Sequence, residues 1–146
     1  TVMNENRLKT PWHLWVIGII ALLWNAVGAF DYLATKLQYE PYMSAFSQEQ
    51  LEYFYAFPTW AVACWAVGVW GALLGSLALL LRKSWAVFLF GASILGMLGT
   101  TIYNFVLSDG AAMMGDGAVA FSVVIWVIAL FLYAYSLAMA KRRVLT

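Results

Sequence analysis

Few side chains in this chain of 146 residues have the chemistry of a site, and most of those lie inside apolar sequence. Asp31 stands first. It falls roughly five helical turns beyond Trp12, close to the end of a long charge-free run, where a carboxylate needs a partner or water. It reads either as an interfacial acid reaching headgroup water or as a contact for an ion, a proton or a ligand. Asn25 lies deeper in the same run, with Gly28 between the two. At about 100° per residue the two polar groups diverge by about 120°, so they flank a face. Asn25 is then either a hydrogen-bonding member of a packing seam (Gly18, Ala21, Asn25, Gly28 and Ala29) or part of a cleft. Gly28 is expected to let another backbone approach.

A second polar set lies far along the chain. Ala92, Gly96, Thr100 and Asn104 recur every four residues and form a small-residue ridge that ends in an amide, with Thr101 and Tyr103 beside it. Asn104 is placed to pair with Asp31 or Asn25, or to line an outward-facing cleft with them. The candidate ligand-binding set is therefore Asn25, Asp31, Thr100, Tyr103 and Asn104, and its ligand would be small and polar.

Other chemistries find no support. Cys64 lacks a basic neighbour that would activate a thiolate, and it reads as a packing residue. His13 is the one histidine, which excludes a bis-His haem or a His-rich metal site within the chain. Met113 and Met114 are soft ligands at best, as an isolated pair. Neither a Ser-His-Asp set, nor a paired-carboxylate site, nor a phosphate-cradling loop occurs. The expectation is no enzyme, no cofactor and no metal.

What must position these groups is dictated by composition. Hydrophobic residues make up 64% of the chain and charged ones 10%, against about 25% charged in globular domains. So little charge cannot clothe a water-exposed surface, but it suits one solvated by lipid. A net charge of +1 leaves no basic stripe for nucleic acid. Pro11 to Phe30, Phe57 to Leu81, Ser84 to Ser108 and Gly117 to Ala140 carry no Lys, Arg, Asp or Glu, and each is long enough to cross a bilayer as a helix. Only helices and closed barrels satisfy their backbone in lipid, and these runs are too long for barrel strands. The expected fold is all-α: a single four-helix transmembrane domain over residues 1–146, with spans of about 12–34, 57–81, 85–107 and 117–140.

Charge then orients it. Arg7, Lys9, Arg82, Lys83, Lys141, Arg142 and Arg143 fall on one side, while Asp31, Glu40, Glu49, Glu52, Asp109 and Asp116 fall on the other with Lys36. The positive-inside rule places both termini in the cytoplasm. The first apolar run is too long for a signal peptide and has no small-residue cleavage site after it. The short turn at Arg82 to Ser84 makes spans two and three an antiparallel hairpin. In the first external loop, Ser47 and Gln50 read as a capping box ahead of a short amphipathic helix with Leu51, Phe54 and Tyr55 on one face, and Pro58 opens span two. The Gly-rich stretch from Asp109 to Gly117 reads as a flexible turn.

Small residues dominate span two: Cys64, Gly68, Ala72 and Ser76 at four-residue spacing, with Gly71 and Gly75. Such a seam supports close packing within the chain or between chains. Trp12, Trp15, Trp60 and Trp85 form the interfacial belt. Trp24, Trp65, Trp70 and Trp126 lie deeper, either lining a cavity or filling the interior and facing lipid.

The segments LLWNAVGAFDYL (Leu22 to Leu33) and FYAFPTWAVACWAVGVWGALLGSLALLLRK (Phe54 to Lys83) resemble a family of small four-helix inner-membrane proteins of Gram-negative bacteria, some labelled sugar transporter. That resemblance implies a bacterial inner membrane and carries over no site residues. Two functions remain open. One is the binding or transport of a small molecule through an outward-facing polar cleft. The other is a non-catalytic accessory or oligomerising subunit, a homo-oligomer or part of a larger membrane complex, using the seam of span two.

Overall fold

The computed structural model describes residues 10–108 and 116–146. Every regular element among them is helical: α1 (Trp12–Lys36), α2 (Glu40–Met43), α3 (Gln48–Tyr55), α4 (Thr59–Leu80), α5 (Trp85–Ile102), a π-helical turn (Tyr103–Leu107) and α6 (Asp116–Lys141). Four of these segments are long and apolar enough to cross a membrane: α1, α4, α5 together with the π turn, and the bulk of α6. At most a third of the most apolar stretch of each is buried in the chain. Ile19, Ile20, Leu23, Phe88, Leu95 and Val127 all stand outward and exposed. An apolar exterior of this extent is solvated by lipid, and the chain is a multi-pass membrane protein.

The bundle is built around the α4–α5 hairpin, and the small residues of α4 are what bring the two helices together. A methyl placed on Gly96 would lie 2.5 Å from the Cys64 carbonyl and 2.7 Å from the Gly68 nitrogen. On Gly71 it would meet the Leu89 carbonyl at 3.2 Å, and on Gly75 the Phe90 ring at 2.9 Å. The buried Ser93 hydroxyl donates to the Gly68 carbonyl at 2.6 Å across this seam. The span-two seam is thus filled from within the chain. On α5 the contact stripe is Phe90, Ser93 and Gly96, so the ridge read through Ala92 is displaced by about one residue. Ala92 instead lies in a shallow groove beside Tyr133.

Helix α1 packs against α4 through Gly18, where a methyl would strike the Leu80 side chain at 2.5 Å, and through Asn25. The Asn25 Nδ2 donates to the Ala72 carbonyl at 3.2 Å and to the Ser76 hydroxyl at 2.8 Å. Helix α6 packs on α5, whereas α1 and α6 make few close approaches. They meet at His13, hydrogen-bonded to the Tyr135 hydroxyl, and at the Trp24–Phe121 ring pair, 6.0 Å between centroids.

One end of the bundle is closed. Leu14, Leu79, Ala86, Phe90, Met139 and Val144 form its core there, and this end carries Arg82, Lys83 and Lys141. The residues after α6 fold back through a left-handed Arg143 (φ 61°), and the Arg82 Nε donates to the Val144 carbonyl at 3.1 Å. The opposite end is covered by α2 and α3. Helix α3 opens on the expected box: the Ser47 hydroxyl accepts from the Gln50 N–H, and the Gln50 side chain accepts from the Ser47 N–H. Pro58 is the N-cap of α4, ahead of a first helical residue Thr59.

Candidate functional site

The arrangement of helices leaves a space. Because α1 leans on α4, and α6 on α5, the groove between α1 and α6 stays open toward the covered end. A cavity of about 560 Å³ lies there among the four long helices, beneath α2 and α3. That volume suits a small organic ligand, for which pockets run to about 300–1,000 Å³.

Four of the five candidate residues line it: Asn25, Asp31, Thr100 and Asn104. Tyr103 does not. It packs instead among Tyr53, Phe57 and Trp60, with its ring centroid 4.7 Å from that of Phe57. Gly28, read as a point of backbone approach, has nothing within 4 Å of where its side chain would be, because its side of α1 borders the cavity. Asn104 pairs with neither Asp31 nor Asn25. Its Oδ1 accepts from the Tyr53 hydroxyl at 2.6 Å. The π turn that begins at Tyr103 is fastened by the Ser108 hydroxyl, which donates to the Tyr103 carbonyl at 2.6 Å.

The lining is mostly aromatic and aliphatic, where the sequence pointed to a polar cleft. Of the deep tryptophans, Trp24, Trp65 and Trp126 border the cavity, and the Trp126 indole donates to the Thr101 hydroxyl at 3.0 Å. Trp70 lies outside it, edge-on to Tyr32. Val27, Phe105 and Phe121 line the cavity while remaining substantially exposed, so they mark its mouth, on the apolar flank of the bundle.

The cover is a chain of aromatic rings, with Phe30, Tyr42, Phe46 and Phe54 in successive edge contacts of 5.2–5.7 Å. Two hydrogen bonds hold it down on different helices. The Tyr42 hydroxyl donates to Asp31 on α1, and the Tyr53 hydroxyl to Asn104 at the end of α5. Burial, then the hydrogen bond to Asp31, then the carboxylate's charge push the Tyr42 phenol from 10.0 up to about 12. It therefore stays a neutral donor across the ordinary pH range. On α3, Tyr53 and Phe54 face the cavity while Tyr55 is exposed, so the apolar face read as Leu51, Phe54 and Tyr55 is turned toward Tyr53.

Tyr42 and Tyr53 are the site residues that sequence reasoning missed. The density of aromatics from Tyr53 to Trp60 was a signal for the second. Nothing in the local pattern marks Tyr42, whose partner sits in the preceding span. Among the described residues no three or more His, Cys, Asp or Glu gather in a way that could hold a metal ion. Met113 and Met114, and the turn beginning at Asp109, lie outside the described residues.

No family model, curated protein or solved structure matches the chain.

Proposed function

We propose that this protein captures a small amphipathic molecule in the cavity between α1, α4, α5 and α6, with α2 and α3 as its cover. The cavity itself carries the reading: its volume, its aromatic walls and its few converging polar groups are what a small-molecule site requires. An apolar ligand body would displace loosely held water from the walls, and the polar groups would fix its orientation.

In this reading the chain lies in a bacterial inner membrane with both termini cytoplasmic, as the basic residues at the closed end favour. The cover then faces the periplasm. The mouth at Val27, Phe105 and Phe121 opens to the outer leaflet, so a ligand would enter sideways from lipid. Passage across the membrane would need a second opening where Leu14, Leu79 and Phe90 close the bundle. Capture from the periplasmic side is thus the step this geometry supports, and it would be one half of a transport cycle.

The accessory-subunit reading loses its motive, because the glycine seam it relied on is occupied by α5. The test is to extract the protein without detergent in native lipid discs and weigh what remains bound. Wild type should retain a small molecule that Gly28→Leu, which fills open space in the cavity, releases. Equal retention by both proteins would overturn the reading.

A further inference from the structure

Among the described residues that line the cavity, Asp31 is the one charged side chain, and none is Lys, Arg or His. One carboxylate oxygen accepts from Tyr42, and among the described residues no basic group pairs with Asp31. Two polar atoms deeper in the cavity face it as acceptors. The Asn25 amide nitrogen gives both its hydrogens to α4, leaving Oδ1 without a donor among the described residues. The Thr100 hydroxyl donates to the Gly96 carbonyl at 3.1 Å, so its oxygen offers only acceptor lone pairs. Against these stand the Nδ2 of Asn104, at the rim beside Tyr53, and the hydroxyls of Thr35, Thr101 and Ser122, which can donate as well as accept. Tyr42, whose hydroxyl reaches the carboxylate, is edge-on to Phe46, and Phe46 to Phe54, and all three rings line the same cavity.

We propose, resting on the capture reading above, that the molecule bound is an organic monocation with an apolar body, its ammonium-type head held by Asp31 and the adjoining aromatic rings. A carboxylate without a counter-ion in an aromatic-walled space costs free energy until a cation supplies the missing charge. Aromatic faces add cation–π attraction that grows as water is excluded. An anionic ligand would meet Asp31 with no compensating base. A neutral polyol would leave most of its hydroxyls facing ring carbons, each unpaired group unfavourable.

The experiment uses the full-length protein in lipid discs and three probes: phenyltrimethylammonium, its uncharged isostere tert-butylbenzene, and glucose. Binding is read from quenching of tryptophan fluorescence, with Trp24, Trp65 and Trp126 as the reporting rings, and folding from the thermal transition of each variant. The cation should bind wild type about tenfold or more tightly than the isostere does, and Asp31→Asn should remove most of that margin. Gly28→Leu should weaken both of these probes. If the isostere or glucose binds wild type as well as the cation does, and Gly28→Leu still abolishes it, the cation assignment is overturned while the cavity reading stands. If no probe binds wild type, or Gly28→Leu changes nothing, both fall.

Discussion

Tyr42, in the short helix α2, donates its phenolic hydrogen to the Asp31 carboxylate near the end of α1, tying the cover to the wall of the cavity it covers. The bond joins residues only 11 apart in sequence, so it fixes the reversal of the chain between α1 and α3 as well as the cover. Tyr42→Phe keeps the ring contacts with Phe30 and Phe46 and removes this bond alone. A hydrogen bond to a charged group is worth about 1.5–3 kcal/mol, and partial exposure reduces this to about 1–2 kcal/mol here. Amide exchange should rise over residues 40–55 and stay unchanged in α4 and α5. Unchanged exchange in the cover would mean that the aromatic contacts hold it without the bond.

The same pair predicts an alkaline transition. The folded-state phenol titrates at about 12 and the unfolded one at 10.0, so between these values the unfolded chain has lost a proton that the native one keeps. Stability from this group is complete below about pH 10 and falls as pH rises toward about 12. Thermal stability followed through that window should drop, and the drop should be shallower in Tyr42→Phe. Tyrosinate absorbance should show one phenol fewer titrating late in the variant.

Asn25 makes a prediction about packing. Its amide bridges Ala72 and Ser76, and Asn25→Ala removes both bonds while leaving α4's own helical bonds intact. Interhelical side-chain bonds in membranes average about 0.6 kcal/mol, up to about 1.7 kcal/mol. A loss within that range, measured by unfolding in mild detergent and denaturant, is expected. A loss well beyond it would mean that the Asn25 Oδ1 also carries weight in the bundle.

How far the sequence led differs between levels. The four spans were legible because lipid imposes length and apolarity on each helix separately, and the Ser47–Gln50 box because capping is local. Which helix meets which was not. Gly28 and Gly68 look alike as small residues in apolar runs, yet Gly68 is buried against Met97 and Gly28 borders open space. The difference lies in where α6 stands, and single-residue spacing carries no information about that. Four of the five residues singled out by polarity alone line the cavity, since polar groups in lipid turn inward. Their pairings were not legible, because the partners of Asp31 and Asn104 come from helices outside the spans.

Orientation is tested by reporter fusions. Reporters joined after Lys83 and after Lys141 should read as cytoplasmic, and one inserted near Glu40 should read as external, if the positive-inside rule governs this chain. A cytoplasmic signal near Glu40 together with an external one after Lys83 would invert the model and place the cover in the cytoplasm.

Glycine substitutions give opposite outcomes at two positions, and the contrast follows from what each side chain would meet. At Gly96 an added methyl lies 2.5 Å from the Cys64 carbonyl and 2.7 Å from the Gly68 nitrogen. Both are backbone atoms of a packed helix and cannot swing aside, so the α4–α5 hairpin must separate. Overpacking of this kind costs about 1–3 kcal/mol, and this site should fall at the upper end. At Gly28 the same methyl meets nothing within 4 Å. There Gly28→Ala lowers the entropy of the unfolded chain and favours the helix, by about 0.4–1 kcal/mol. Melting of both variants beside wild type should therefore give shifts of opposite sign. Mass in detergent should be unchanged for Gly28→Ala. For Gly96→Ala, a folded protein with altered mass and undiminished stability would show that the seam is an interface between chains, against the packing described here.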